Sequence, residues 1–132
     1  MKRIIIIFGT VLIVLLLGSL LAIHIWIGHS VKENIKIAKE QYQGNAEDAL
    51  IAFLLDEQLP ANDRTHQAIW TLGQIRSEKA LPILSGLYKN DPTGETCYGK
   101  HDSLLCQYEI HKAIVAIERN WWFYHARLSK YE

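Results

Sequence analysis

A chain of 132 residues with 14 Lys and Arg against 14 Asp and Glu has room for one ordinary domain and carries no net charge. Lys2 and Arg3 are the only charges before residue 31, so the remainder holds 12 basic residues against 14 acidic ones. That balance excludes the basic stripe that nucleic-acid binding needs, and the lysines after residue 31 are too interleaved with Glu33 and Glu40 to form a strong lipid-headgroup patch.

The first predicted element is residues 4–28, IIIIFGTVLIVLLLGSLLAIHIWIG, which contain no Asp, Glu, Lys or Arg. At about 1.5 Å per helical residue this stretch reaches roughly 37 Å, enough to cross a ~30 Å hydrocarbon core with tilt. It reads as a single transmembrane anchor, with the lipid bilayer as its partner through residues 4–28. Trp26 suits the interfacial belt and His24 falls near the exit, so neither marks a transport path. A cleaved secretory signal is the rival reading, because MKR ahead of an apolar run also fits one. Against it stand the length of the run, longer than the usual ~7–15 residue core, and the absence of a small-x-small cleavage site in GHSVKEN. No cysteine lies directly after the apolar run, so lipoprotein processing is unsupported. Lys2 and Arg3 place residues 1–3 in the cytoplasm, while Lys32, Lys36 and Lys39 blunt the positive-inside bias. The signal-like order of a short basic head and a long apolar core then predicts that residues 31–132 are exported, to a periplasm or the cell exterior.

Residues 31–132 contain a short internal repeat. EDAL at Glu47 recurs as EKAL at Glu78, and HQAI at His66 recurs as HKAI at His111, in the order ExAL, HxAI, ExAL, HxAI. Helical spacing predicts a first helix over residues 31–43, with Ile35, Ala38 and Tyr42 on one stripe, ended by Gly44 and Asn45. Asn45 is placed to cap a second helix that turns Ala49, Leu50, Phe53 and Leu54 inward. A third over residues 63–76 buries Ala68, Ile69, Leu72 and Ile75. A fourth over residues 77–88 lines up Ala80, Leu81, Leu84, Leu87 and Tyr88, with Pro82 tolerated in its first turn. KNDPTGET is a loop by composition. A fifth helix over residues 103–122 brings Cys106, Ile110, Ala113, Ile114, Ile117 and Trp121 to one face. No alternation of period two competes with these stripes, so the domain is all-α.

The stretch HQAIWTLGQIRSEKALPILSGLY resembles the HEAT-like repeats of the bilin-lyase type, in which an A-I-W-x-L-G-Q-I helix, a tight turn and an A-L-P-x-L helix follow one another. Ala68, Leu72 and Gly73 match the packing positions of the first helix, and Ala80, Leu81, Pro82 and Leu84 those of the second. The resemblance covers about 25 residues and implies a short right-handed α-solenoid of two to three HEAT-like helical hairpins used for protein contact. It does not imply lyase activity, since the repeat is a scaffold shared by unrelated functions.

The repeat also locates an insertion. ExAL to HxAI spans 17 residues from Ala49 to His66 but 31 from Ala80 to His111, an excess of 14, and both cysteines of the chain fall within it or at its edge. In an oxidising compartment Cys97 and Cys106 are expected to pair and tie the loop tip to the start of helix five. Zinc is an alternative, since Cys97, His101, Cys106 and His111 supply two sulfurs and two nitrogens. Their C-x3-H-x4-C-x4-H spacing departs from the common knuckle, and His66, the repeat counterpart of His111, has no cysteine nearby. Free thiols are the third reading and gain if the domain faces the cytosol.

Catalytic motifs are thin. His101, Asp102 and Ser103 hold triad residue types side by side in a loop, an arrangement that does not converge as a triad must, and Gly99 with Lys100 lacks the rest of a phosphate loop. No catalytic residue, cofactor or metal is therefore assigned. Trp121, Trp122, Phe123 and Tyr124 cluster near the C-terminus, as a cap over the open end of the solenoid or as a contact surface for a partner. The combined expectation is a single-pass membrane scaffold whose helical-repeat domain contacts a protein partner, another membrane protein among the options. The alternatives are an enzyme subunit similar to the HEAT-like bilin lyases, or a small metal-binding module.

Overall fold

The computed structural model describes residues 2–100 and 103–119. Among them every regular element is helical. Helix α1 runs from Lys2–Gln41 without a break. Neither a proline nor a second glycine follows Gly28 before residue 41, and a single glycine costs a helix only about 1 kcal/mol, too little to part the apolar stretch from residues 31–41. The separate first helix expected at residues 31–43 is thus the last quarter of α1, which ends at Gln41. Lys39 sits in its final turn, where a cation complements the helix dipole, and Gly44 turns the chain at φ +121°.

Helix α2, Ala46–Leu55, starts as the sequence predicts. Asn45 accepts the Asp48 N–H at 2.9 Å, and Glu47 and Asp48 occupy the first turn. Helix α3 occupies residues 61–75, an α-turn (Ala61–Asp63), a π-helical stretch (Arg64–Ile69) and an α-helical end (Trp70–Ile75). It begins two residues earlier than its periodicity indicates because Pro60 supplies the entry. It ends in a Schellman arrangement: Ser77 N–H reaches Leu72 O at 3.1 Å, and Arg76, in the left-handed region at φ 54°, reaches Gly73 O at 3.3 Å. The expected fourth helix is shorter at both ends. Ser77 Oγ accepts the Ala80 N–H at 3.0 Å to open a 3-10 turn, Glu78–Ala80, and α4 proper is Leu81–Leu87, with Tyr88 extended.

Helix α5, Gln107–Arg119, starts four residues later than periodicity predicts. Cys106 is withheld from the helix by its own contacts: its N–H points to Thr65 Oγ1 at 3.3 Å, while its carbonyl accepts the Ile110 N–H at 3.1 Å. Its inward stripe is Gln107, Ile110, Ala113 and Ala116; Ile114 and Ile117 are only partly covered, and Trp121 lies outside the described residues.

The core is one cluster. Val31, Ile35 and Ala38 of α1 meet Ala49, Leu50, Phe53 and Leu54 of α2, then Ala68, Ile69, Leu72 and Ile75 of α3, Leu84 of α4, and Ile110 and Ala113 of α5. Full burial of each Leu or Ile contributes roughly 1.5–3 kcal/mol, which is how ten-residue helices that would fray alone persist. Helix α3 is central, packed against α1, α2 and α5, and α4 rests on α5. Gly73 of α3 makes a close approach to α5: a Cβ there would stand 3.0 Å from Ala113 Cα and 3.1 Å from its Cβ. By contrast, the side chains of α1 from Ile7 to Trp26 are exposed along the whole stretch, and this helix is long and apolar enough to cross a membrane.

Candidate functional site

The insertion between α4 and α5 is held at several points. Asp91 gathers the turn that follows it: Oδ1 accepts the N–H groups of Gly94 and Glu95 at 2.9 and 3.1 Å, and Oδ2 accepts the Thr96 N–H at 2.9 Å and the Thr96 hydroxyl at 2.6 Å. The Thr96 hydroxyl and these amides favour the ionised carboxylate and hold its pKa down at about 2. Gly94 takes the left-handed conformation the turn requires, with Tyr108 Cβ 2.6 Å from where a side chain would begin. A stretch that composition marks as plain loop is therefore an organised turn.

Cys97 follows in a 3-10 turn, Glu95–Cys97, and stands at disulfide distance from Cys106, their Cα atoms 4.9 Å apart and both side chains buried. Of the other residues weighed for zinc, His111 stacks on Tyr88 with ring centroids 5.6 Å apart, and His101 lies outside the described residues. Among the described residues no three His, Cys, Asp or Glu side chains gather as a metal would need. Repeat equivalence of the two histidines does not extend to their surroundings, for His66 is exposed. Ser103 lies in the insertion and donates to Lys100 O at 3.3 Å; Asp102 is outside the described residues. Trp121, Trp122, Phe123 and Tyr124 also lie outside them.

The root of the insertion is clamped by a residue that sequence reading passed over. Gln107, buried at the start of α5, accepts the Lys89 N–H at 2.6 Å and donates to Leu87 O at 3.3 Å. A glutamine at the first position of an amphipathic helix gives no sign of this in sequence, because both partners are backbone groups 18 and 20 residues away.

Clamp, turn and cysteine pair together hold the insertion against the start of α3, leaving a cleft of about 340 Å³. The cleft is lined by Ala61 and Arg64 of α3, by Leu87 at the end of α4, by Lys89, Thr96, Ser103, Leu104 and Leu105 of the insertion, and by Gln107 and Glu57. Arg64 is fixed by donation from Nε to Leu54 O at 2.7 Å.

Elsewhere in the domain, polar ties join segments distant in sequence. Ser77 donates to Glu47, and Lys79 pairs with Asp48, so the acidic residues of the first ExAL segment meet the turn after α3 and the lysine of the second segment. Asp48 raises the pKa of Lys79. Tyr42 donates to Asp56 Oδ2 at 2.5 Å, which with the Gln58 N–H holds the Asp56 carboxyl below its ordinary range and pushes the Tyr42 phenol up. Asn34 of α1 donates to the buried Thr71 Oγ1 at 2.9 Å and ties the end of α1 to α3.

Compared with known proteins, the chain matches no family model, no curated protein and no solved structure.

Proposed function

We propose that this protein is a single-pass membrane scaffold whose helical domain binds a protein partner close to the bilayer. The observation that carries the reading is the continuity of α1, whose exposed apolar stretch passes into the buried Val31, Ile35 and Ala38 stripe without a linker. A hinge-free helix holds the domain at a fixed height over the membrane, where the partners within reach are other membrane proteins. The HEAT-like solenoid is the architecture we assign to the domain. Its support is the ExAL and HxAI repeat, the packing of α3 between α2 and α5, and the close approach at Gly73 and Ala113. An extracytoplasmic domain with a Cys97–Cys106 disulfide is part of the same reading, supported by the cysteine spacing in space and by the basic head before the anchor. The exposed apolar side chains Leu55, Tyr98, Leu104 and Tyr108 are the contact positions we assign on the described surface.

The test is photocrosslinking in intact membranes, with a reactive amino acid placed in turn at Leu55, Tyr98 and Tyr108. A discrete protein adduct from at least one site, abolished by detergent dispersal, is the expected result. Adducts only with lipid, or a smear at every site, overturns the scaffold reading. A membrane-impermeant thiol label, applied to intact cells after reduction, decides the side: Cys97 and Cys106 react only if the domain is exported.

A further inference from the structure

The insertion carries a second feature besides its own closure, for it supplies half of the residues that line the cleft over the start of α3. At about 340 Å³ the cleft is near the lower end of ordinary ligand sites and suits one or two residues of a peptide or a small molecule. Two cations line it, Arg64 from α3 and Lys89 from the insertion, and among the described residues neither forms an ion pair. Arg64 uses Nε to hold Leu54 O, which fixes the guanidinium plane and leaves its terminal N–H groups uncommitted to any described residue. Leu87, Leu104 and Leu105 supply the apolar part.

The surrounding charge narrows the ligand. Glu57 lies on the lining, Asp56 feels Arg64, and Asp91 stands behind Thr96, so the two cations are not part of a positive field. A polyphosphate or a nucleic acid brings more negative charge than two cations beside the carboxylate of Glu57 can balance. One singly charged carboxylate, bidentate on a planar guanidinium, suits the site best. We propose that the cleft binds the free C-terminal carboxylate of a peptide with an aliphatic last residue, the carboxylate on Arg64 and Lys89 and the side chain against the three leucines. This rests on the reading of the domain as a protein-contact module, and it names the chemical end of the partner that the module takes. Thr96 and Leu105 border the two cysteines, so linking Cys97 to Cys106 holds the wall that the ligand needs.

The full chain in lipid nanodiscs is titrated with an N-acetylated tetrapeptide ending in Leu-Leu, as free acid and as C-terminal amide, and with inorganic phosphate, by calorimetry and backbone amide shifts. Loss of one charge-assisted contact corresponds to roughly a tenfold loss of affinity. The amide is therefore expected to bind at least that much more weakly than the acid, Arg64→Gln and Lys89→Gln each to weaken the acid to the same degree, and reductant to weaken it further. Phosphate is expected not to compete. Because Arg64→Gln also removes a tie to Leu54, its result counts only where helical ellipticity is retained, and Lys89→Gln, whose side chain bonds no described residue, decides otherwise. Equal binding of acid and amide, an unchanged affinity in Lys89→Gln, competition by phosphate, or no saturable binding of the acid each overturns the assignment. If the peptide fails while photocrosslinking still captures a protein, the cleft assignment falls and the contact module stands. If no protein is captured, the module reading falls whatever the peptide does.

Discussion

Replacing Gly73 with alanine puts two effects of opposite sign against each other, and the structure decides which prevails. Alanine in a helix interior is favoured over glycine by about 0.8–1.0 kcal/mol, so on an isolated α3 the change is stabilising. In the folded domain the new methyl would stand 3.0 Å from Ala113 Cα and 3.1 Å from its Cβ. Contacts this short against backbone are relieved only if α5 moves away by a few tenths of an ångström, and overpacking of this kind costs roughly 1–3 kcal/mol. The small void of about 20 Å³ beside Gly73 and Ala113 absorbs little of the shift. The expected net effect is a destabilisation of about 1 kcal/mol, or ~4–8 °C in Tm for a domain of this size. It is measured by loss of helical ellipticity on heating the full chain in detergent micelles, where the anchor helix persists. Valine at the same position should lose more, since it adds two further methyl groups. A compensating Ala113→Gly should recover part of the loss, with a coupling of roughly 0.5–3 kcal/mol in a double-mutant cycle. A rise in Tm by the full helix-propensity gain in Gly73→Ala, with no coupling to position 113, would refute the close packing of α3 on α5 and remove one support of the proposed repeat architecture.

Opening the ring between Cys97 and Cys106, a separation of nine residues, should lower stability by about 2.6 kcal/mol in the loop-entropy account. Thermal unfolding with and without reductant checks this, and a Cys97→Ala, Cys106→Ala chain should be insensitive to reductant. Leu72, fully buried at the centre of α3, should lose roughly 2–5 kcal/mol on replacement by alanine, read from the midpoint of denaturant unfolding. Asp91 is ionised more readily folded than unfolded, with a folded pKa of about 2, and Asp56 shifts in the same direction. Their contribution is therefore complete above the unfolded carboxylate range near pH ~4 and is lost as pH falls from there through about 2. An acid titration of Tm in Asp91→Asn should show a shallower fall over that window than the parent chain.

Much of the domain was legible because helical packing leaves a periodic trace. Ala49, Leu50, Phe53 and Leu54 on α2, and Ala68, Ile69, Leu72 and Ile75 on α3, were assigned inward from spacing alone and are all buried. Asn45 was assigned as a cap from its type and place, since a short side chain ahead of an apolar run has few other uses. Helix ends were less legible. Periodicity does not register a competing contact, so Cys106 reads as part of α5 although Thr65 and Cys97 hold it outside.

What the amino-acid order determines by itself is the apolar length of residues 4–28, the helical stripes and the excess of residues between the second ExAL and HxAI segments. These depend on local spacing and composition, which a linear chain already contains. The continuity of α1, the clamp of Gln107 on Lys89 and Leu87, and the placing of Arg64 and Lys89 on one cleft were decided only by tertiary structure. Each joins groups whose pairing depends on where the helices cross, and a crossing is set by the shapes of both surfaces at once, as at Gly73 and Ala113.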